Sequence, residues 1–382
     1  MTAQAASLQS IFCQDKAIGQ LQHAFAAGKM AHAYIFAGAD GVGRAATAKA
    51  WAKMLLCRKR VHKQTPAGSF YDSCGVCPSC RLFEGEGHPD YISIYKELLS
   101  FTREGKNRKP PLDMPIDVIR EFLIEKVASK PQESEYVVYV IHEAEKLNIP
   151  GQNALLKTLE EPPSFCVIIL LCSKTESLLP TIHSRCQIVR FGAVDREHIM
   201  SALKQHGIPP AAAGYWAGFS DGSLGQALTW AQLECDGKSV YDIKKDLVLR
   251  LGEFQLANTL ELSEWLSQAA KAVSGALGKT AGQVSSTDIN RRGQKLIIQM
   301  MQWAVYDAMR LLLGLSQGLV NSDQADSIRN LAGRLDYDRA AKVVLQCQQK
   351  IQWIDSSVNE KLIFEGLLLN LAGLDILSAS VS

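Results

Sequence analysis

The feature that most constrains this chain is the frame Gly38-Ala39-Asp40-Gly41-Val42-Gly43-Arg44-Ala45. It follows a short apolar run, Ala33–Ala37, that reads as a buried strand, and it opens a helix-favouring stretch, Ala45–Leu56. Strand, glycine turn and helix in that order make the G-x4-G frame of a phosphate loop. Its glycines let backbone N–H groups cradle phosphate oxygens at a helix N-terminus, where the helix dipole favours negative charge. Such a loop requires an α/β domain built around a parallel sheet.

The frame normally closes with Lys and Ser/Thr, the amine reaching the β/γ-phosphates and the hydroxyl binding Mg²⁺. Here Arg44 takes the first position and Ala45 the second. Arginine keeps the charge on a planar fork of different reach, and alanine has no metal ligand. A second apolar strand, Val137–Ile141, ends in His142-Glu143 where Asp-Glu would hold the cation and orient water. An imidazole is a poor ligand for Mg²⁺, and Glu143 and Glu145 then read as solvated residues after a strand. Two separate losses point to a phosphate-loop fold without catalysis.

The rest of the first half alternates in the same way. Lys16–Lys29 and Asn153–Glu161 have helical spacing, the latter stopped by Pro162-Pro163; Ile116–Val127 reads as an amphipathic helix and Val167–Leu171 as an apolar strand. Lys59–Asp72 and Ser100–Pro115 read as loops. Strand signals thin out after Phe191. Asp195–His206 and Ala211–Leu233 suggest a small helical region; Val248–Val273, Gln294–Gly314, Ala340–Trp353 and Asn359–Leu377 suggest an all-helical domain, broken near Gly275–Thr287. A length of 382 residues suits two or three such domains.

Composition removes several function classes. Lys+Arg 41 against Asp+Glu 39 gives a net charge of +2, which excludes a strongly basic coat. The one basic run, Arg103–Lys109, is the sole candidate for a stand-alone nucleic-acid-binding module. Met1–Ser10 has neither a basic n-region nor an apolar core, so no signal peptide is expected. The most apolar stretch, Leu296–Leu315, falls short of the ~18 uninterrupted apolar residues of a membrane span. Gln299, Gln302, Asp307 and Arg310 give it a polar stripe, and the chain is expected to be cytoplasmic.

Of ten cysteines, four stand apart: Cys74, Cys77 and Cys80 form C-x2-C-x2-C, and Cys57 precedes them by a 16-residue gap. Four thiolates suffice for a closed tetrahedral Zn²⁺ site, a structural rather than catalytic arrangement. His62 or His88 is an alternative fourth ligand to Cys57.

Several segments together resemble the clamp-loader branch of the AAA+ proteins. They are the His32–Phe36 strand before the loop, the cysteine cluster after the first helix, Asn153–Pro163 (NALLKTLEEPP), Ser184-Arg185-Cys186, and Asn359–Leu368 near the end. The resemblance implies an α/β P-loop NTPase (AAA+) parallel-sheet domain over 1–192 with a four-cysteine zinc module at 57–80. A small helical lid domain over 193–238 and an all-α collar domain over 239–382 would follow. Within the branch, an ATPase subunit of the gamma/tau kind would need Lys and Ser/Thr at Arg44 and Ala45, Asp at His142, sensor threonines at Cys172-Ser173, and an arginine where Gly225 stands. These departures fit the delta-prime family, a non-hydrolysing stator. The resemblance then implies a hetero-oligomeric ring with gamma/tau ATPase subunits and a delta subunit, acting on a sliding clamp and primed DNA. Arg185 would enter the neighbour's ATP site as an arginine finger, and Gly38, Gly41, Gly43 and Arg44 would form a non-functional loop binding neither ATP nor Mg²⁺ productively.

Overall fold

The computed structural model describes residues 7–65, 68–106, 111–280, 284–355 and 360–374. The start of Met1–Ser10, part of Arg103–Lys109, and the ends of Asn359–Leu377 lie outside the described residues. The chain divides into two compact units, one of residues 1–198 with 222–225, the other of 199–221 with 226–382.

In the first unit the elements run α1 (Asp15–Ala26), β1 (Ala33–Ala37), α2 (Arg44–Leu56), β2 (Val61–Thr65), β3 (Gly68–Asp72), α3 (Pro78–Glu84) and β4 (Tyr91–Ile94). They continue with α4 (Ile116–Ile119), β5 (Val137–Ile141), α5 (Ile149–Glu160), β6 (Cys166–Cys172), α6 (Pro180–His183), β7 (Gln187–Arg190) and the start of α7 (Arg196–Gln205). Five strands form one all-parallel sheet in the order β4-β5-β6-β1-β7. Parallel strands buried on both faces need apolar residues throughout, and β1, β5 and β6 are fully buried along their lengths. Alternation then sorts their side chains between two cores. Ile35, Tyr139, Ile141, Ile168 and Leu170 pack on one face with residues of α4, α5 and α6. Tyr34, Phe36, Val138, Val140 and Ile169 pack on the other with Trp51, Met54 and Leu55 of α2 and Leu21 of α1.

Two readings of this half need correction. Lys59–Asp72 is not a loop: β2 and β3 pair as an antiparallel hairpin. It is held both by a pair of its own and by residues from outside it. Asp72, fully buried, accepts from Lys63 Nζ at 2.9 Å and Ser7 Oγ at 2.6 Å, while the Gln22 amide pairs both ways with the Tyr71 backbone. Ile116–Val127 is one α-turn, α4, followed by a π-type turn over Arg120–Ile124, since Glu125 N bonds back to Arg120 O. Strands β4 and β7, which are only partly buried along their lengths, lie at the sheet edges.

The second unit holds most of α7, then α8 (Pro210–Phe219), the body of α9 (Leu224–Gln232), and the two-residue ladder β8 (Glu234–Cys235) with β9 (Lys238–Ser239). Next come α10 (Val240–Gly252), α11 (Thr259–Thr280), α12 (Ser286–Leu312), α13 (Ala325–Ala332), α14 (Tyr337–Asp355) and α15 (Glu360–Leu371). Val248–Val273 is therefore two helices, α10 ending at Gly252. Conversely α11 continues past Gly275 to Thr280.

The polar stripe assigned to Leu296–Leu315 also fails at one residue. Asp307 is fully buried and accepts from the backbone N–H groups of Val320 (3.1 Å) and Asn321 (2.7 Å) and from Asn321 Nδ2 (2.8 Å). Nearby, Lys244 is also fully buried; its ammonium lies over the Tyr215 ring at 4.4 Å and donates to Asp323 at 2.6 and 2.7 Å.

Candidate functional site

The sheet places the chemistry-bearing residues at its carboxyl edge, where ligands of open α/β sheets bind. The loop 38–43 leaves β1, His142 and Glu143 leave β5, and Ser173 leaves β6. The parallel register sets the ends of these strands side by side, Ala37 opposite Cys172 and Ile141 opposite Leu170. Gly41 and Gly43 have φ of +77° and +112°, values that L side chains rarely adopt, so the turn depends on glycine at both positions.

The loop is held from several sides. Gln14, buried, donates from Nε2 to Val42 O (3.0 Å) and Gly192 O (2.9 Å) and accepts from Gly192 N. Ser223 Oγ donates to Asp40 O at 2.7 Å and Gly225 N to Gly41 O at 2.9 Å. A Cβ at position 225 would lie 2.9 Å from Gly41 Cα. An arginine there would push the loop out of place, so glycine at 225 belongs to this packing.

Arg44, at the lysine position, is buried and donates from Nη2 to Asp40 of its own loop. Its Nε is buried with no hydrogen-bond partner among the described residues. Ala45 and His142 offer no oxygen ligand at the two positions where the frame supplies them for Mg²⁺. His142 is engaged by Ser93, Nε2 to Oγ 2.9 Å. Burial holds its imidazole below the ordinary value; Glu143 opposes that shift and Arg44 adds to it.

Glu143 is not a solvated residue. It sits in a left-handed backbone (φ +48°) and pairs with Lys146 at 2.7 Å and with the buried Lys96 at 3.3 Å. Burial pushes its carboxyl up, but the hydrogen bond and charge of Lys146 and the charge of Lys96 outweigh it, leaving the group below the ordinary carboxylate range. Glu145 accepts from both the backbone N–H and the hydroxyl of Ser173. Lys96 and Gln14 escaped sequence reasoning because no motif marks them, and the pairing of Asp40 escaped it because the frame leaves that position unspecified.

Arg185 lies just after α6. It donates to Glu160 at the end of α5 and, from Nη1, to Thr181 O at 2.9 Å. Glu160 lies inside the Asn153–Pro163 segment but carried no signal of this pairing.

The four cysteines come together. Cys57 Sγ lies 3.6 Å from Cys74 and 3.9 Å from Cys77, and Cys74 lies 4.0 Å from Cys80. All four sulfurs are within 4.8 Å of one another. Tetrahedral Zn–S bonds of about 2.3 Å place sulfurs about 3.8 Å apart, close to the three separations above, so the set could hold a zinc ion. The hairpin β2–β3 fills the 16-residue gap and returns the chain from Cys57 to Cys74. His88 is committed elsewhere: its Nδ1 accepts from Asp90 N (3.1 Å), so its Nε2 carries the proton and faces Ser79 Oγ at 2.9 Å. His62 lies against Tyr71. Among the thiols, Cys57 is raised by burial, whereas Cys77 is brought down to about 6 because hydrogen bonds from Cys80, Arg58 and Cys74 overcome its burial.

Comparison with known proteins gives a consistent result. A family described as DNA polymerase III, delta subunit, matches residues 13–195, and its C-terminal counterpart matches residues 262–373. The chain is similar to DNA polymerase III subunit delta' of Pseudomonas aeruginosa, 36% identical over 168 residues, which cover 44% of this chain and 43% of that one. It is also similar to DNA polymerase III subunit tau of Bacillus subtilis, 30% identical over 197 residues, covering 52% of this chain and 31% of that one. The chain thus spans less than half the length of these curated relatives. Among solved structures, a DNA polymerase III gamma subunit-related protein of Thermotoga maritima aligns over 93% of this chain and 99% of its own, with 15% identity and a TM-score of 0.46.

Proposed function

The chain belongs to the DNA polymerase III clamp-loader family, and from that premise we propose that it serves in DNA replication as the delta-prime type of subunit. In this reading it is a stator that does not hydrolyse ATP itself and acts only as a component of the DNA polymerase III holoenzyme. The single observation that carries it is the pairing of Arg44 with Asp40: the charge that would meet the phosphates is spent within the loop. Ala45 without a hydroxyl, His142 turned to Ser93, and Glu143 tied to Lys96 and Lys146 all support the same reading.

Within the assembly, Arg185 is the residue assigned to work in trans. It would leave Glu160 and stabilise charge developing on the γ-phosphate in a neighbouring gamma/tau subunit, an effect worth ~10³–10⁵ in rate in comparable enzymes. Delta and gamma/tau subunits, the sliding clamp and primed DNA are the proposed partners, and the cytoplasm the proposed location. Among the described residues no helix is long and apolar enough to cross a membrane. Cys57, Cys74, Cys77 and Cys80 would hold one structural Zn²⁺, contributing folding energy and no open coordination position. We retain 1–192, 193–238 and 239–382 as the sheet, lid and collar regions.

The similarity to tau keeps one second reading in view, an active gamma/tau-like ATPase. Calorimetric titration of the isolated chain with ATP and Mg²⁺ separates the two. The stator reading expects no Mg²⁺-dependent binding and no released phosphate. Turnover by the purified chain would establish the ATPase reading instead.

A further inference from the structure

A second group of metal-ligating side chains lies away from the four-cysteine set. Cys13 Sγ is 3.9 Å from Asp195 Oδ2, and His198 Nδ1 is 3.7 Å from the same oxygen. The three ligand atoms all lie within 4.8 Å of one another. All three residues belong to the first unit.

The placement is built by the backbone. Cys13 adopts φ +56°, a left-handed conformation unusual for a residue with a side chain. Such a conformation persists where the surroundings over-determine it. Here the next residue, Gln14, is fastened in both directions to Gly192 and also to Val42. That amide fixes the segment bearing Cys13 beside the turn leading into α7. On the other side, Val194 N donates to Gly222 O at 2.9 Å, and Asp195 follows directly. His198 stands three residues on, in the first turn of α7, where i and i+3 share a helix face. A position just before a helix explains a carboxylate at 195; it does not explain a thiol held against it.

We propose that Cys13, Asp195 and His198 form a three-ligand site for a divalent transition metal of the zinc class. The donor set decides the class: one thiolate, one imidazole and one carboxylate suit Zn²⁺ or Co²⁺ and reject Mg²⁺ and Ca²⁺, which want oxygen alone. The half-buried thiol and two exposed partners leave the fourth position to water, so this site exchanges metal far more readily than the closed cysteine set. Binding ties the segment before α1 to the start of α7, on the flank of the loop that Gln14 holds.

The test uses the full chain and Co²⁺ alone. Equilibrium dialysis with metal analysis should give two ions per wild-type chain, one resisting a mild chelator and one released by it. The released ion should show sulfur-to-cobalt charge-transfer absorption. Cys13→Ala should lose that ion and its absorption while keeping the resistant one. His198→Ala, changed at an exposed position, should weaken the second ion by at least the 10–100-fold typical of losing a supporting group, and Cys13→Ser serves if Cys13→Ala does not fold. A Cys13→Ala chain holding two ions with unchanged spectrum overturns the proposal, as does a wild type that takes only the resistant ion. Failure of the four-cysteine site reads differently: the resistant ion would be missing from wild type and Cys13→Ala alike.

Discussion

Arg44 donates to the carboxylate of Asp40, four residues earlier in the same loop, and both sit where an incoming phosphate would need the guanidinium free. The carboxylate is thus both the partner of that cation and a repulsive charge toward any anion. Asp40→Asn should therefore raise affinity for inorganic pyrophosphate by roughly tenfold, since hydrogen bonds to charged groups are worth ~1.5–3 kcal/mol. Calorimetry checks this, and adding Arg44→Ala should abolish the gain. Equal affinity in wild type and Asp40→Asn would show that the pair does not govern the loop.

Metal removal should expose the role of the four cysteines. One zinc per chain is expected at the set of Cys57, Cys74, Cys77 and Cys80 after mild chelation, and Cys74→Ser should release it. Because the site closes the hairpin segment, its loss should lower the melting temperature by several degrees, roughly 4 °C or less per kcal/mol in a chain of this size. A zinc-free chain melting as the loaded one does would count against a structural metal.

Glu143 makes a prediction about acid. Its folded carboxyl titrates below the ordinary value, so its contribution to stability is fully present above about 4.5, the unfolded value. That contribution is lost as pH falls from there through the lowered folded value. Glu143→Gln removes the titrating group, so urea midpoints measured from pH 6 down to 3 should fall less steeply than in wild type. At pH 6 the variant should be the less stable of the two. Parallel slopes would show that the pairs with Lys96 and Lys146 contribute nothing.

In the second unit, Lys244 depends on Asp323. Burial lowers the pKa of this lysine, and the carboxylate opposes the shift. Asp323→Asn leaves an uncompensated buried cation and should cost about 3–5 kcal/mol. Combining it with Lys244→Met should restore most of that stability. A double-mutant cycle on denaturant unfolding reads the coupling; strictly additive effects would deny it.

The sheet was legible because its strands are continuous apolar runs: Ala33–Ala37 and Val137–Ile141 are found where the pattern places them, and Val167–Leu171 is extended by one cysteine at each end. The loop was equally visible, since only glycine suits φ of +77° and +112° in that turn. What sequence reasoning missed depends on distant partners. The β2–β3 hairpin carries polar side chains and is held by Gln22, Ser7 and a buried Asp72, none of which a local pattern reveals. Asp307 looked like a surface residue because its three donors lie thirteen and fourteen positions away. At the candidate site, the identities of Arg44, Ala45 and His142 could be read directly, whereas the partners that occupy Arg44, His142 and Glu143 could not.

The most direct measurement is DNA-stimulated ATP turnover by a clamp loader reconstituted with either the wild-type chain or Arg185→Ala. The expected result is an inert isolated chain, an intact assembly with both versions, and turnover at the adjoining site depressed by at least ~10³ with Arg185→Ala. Unchanged turnover in an intact Arg185→Ala assembly would contradict it.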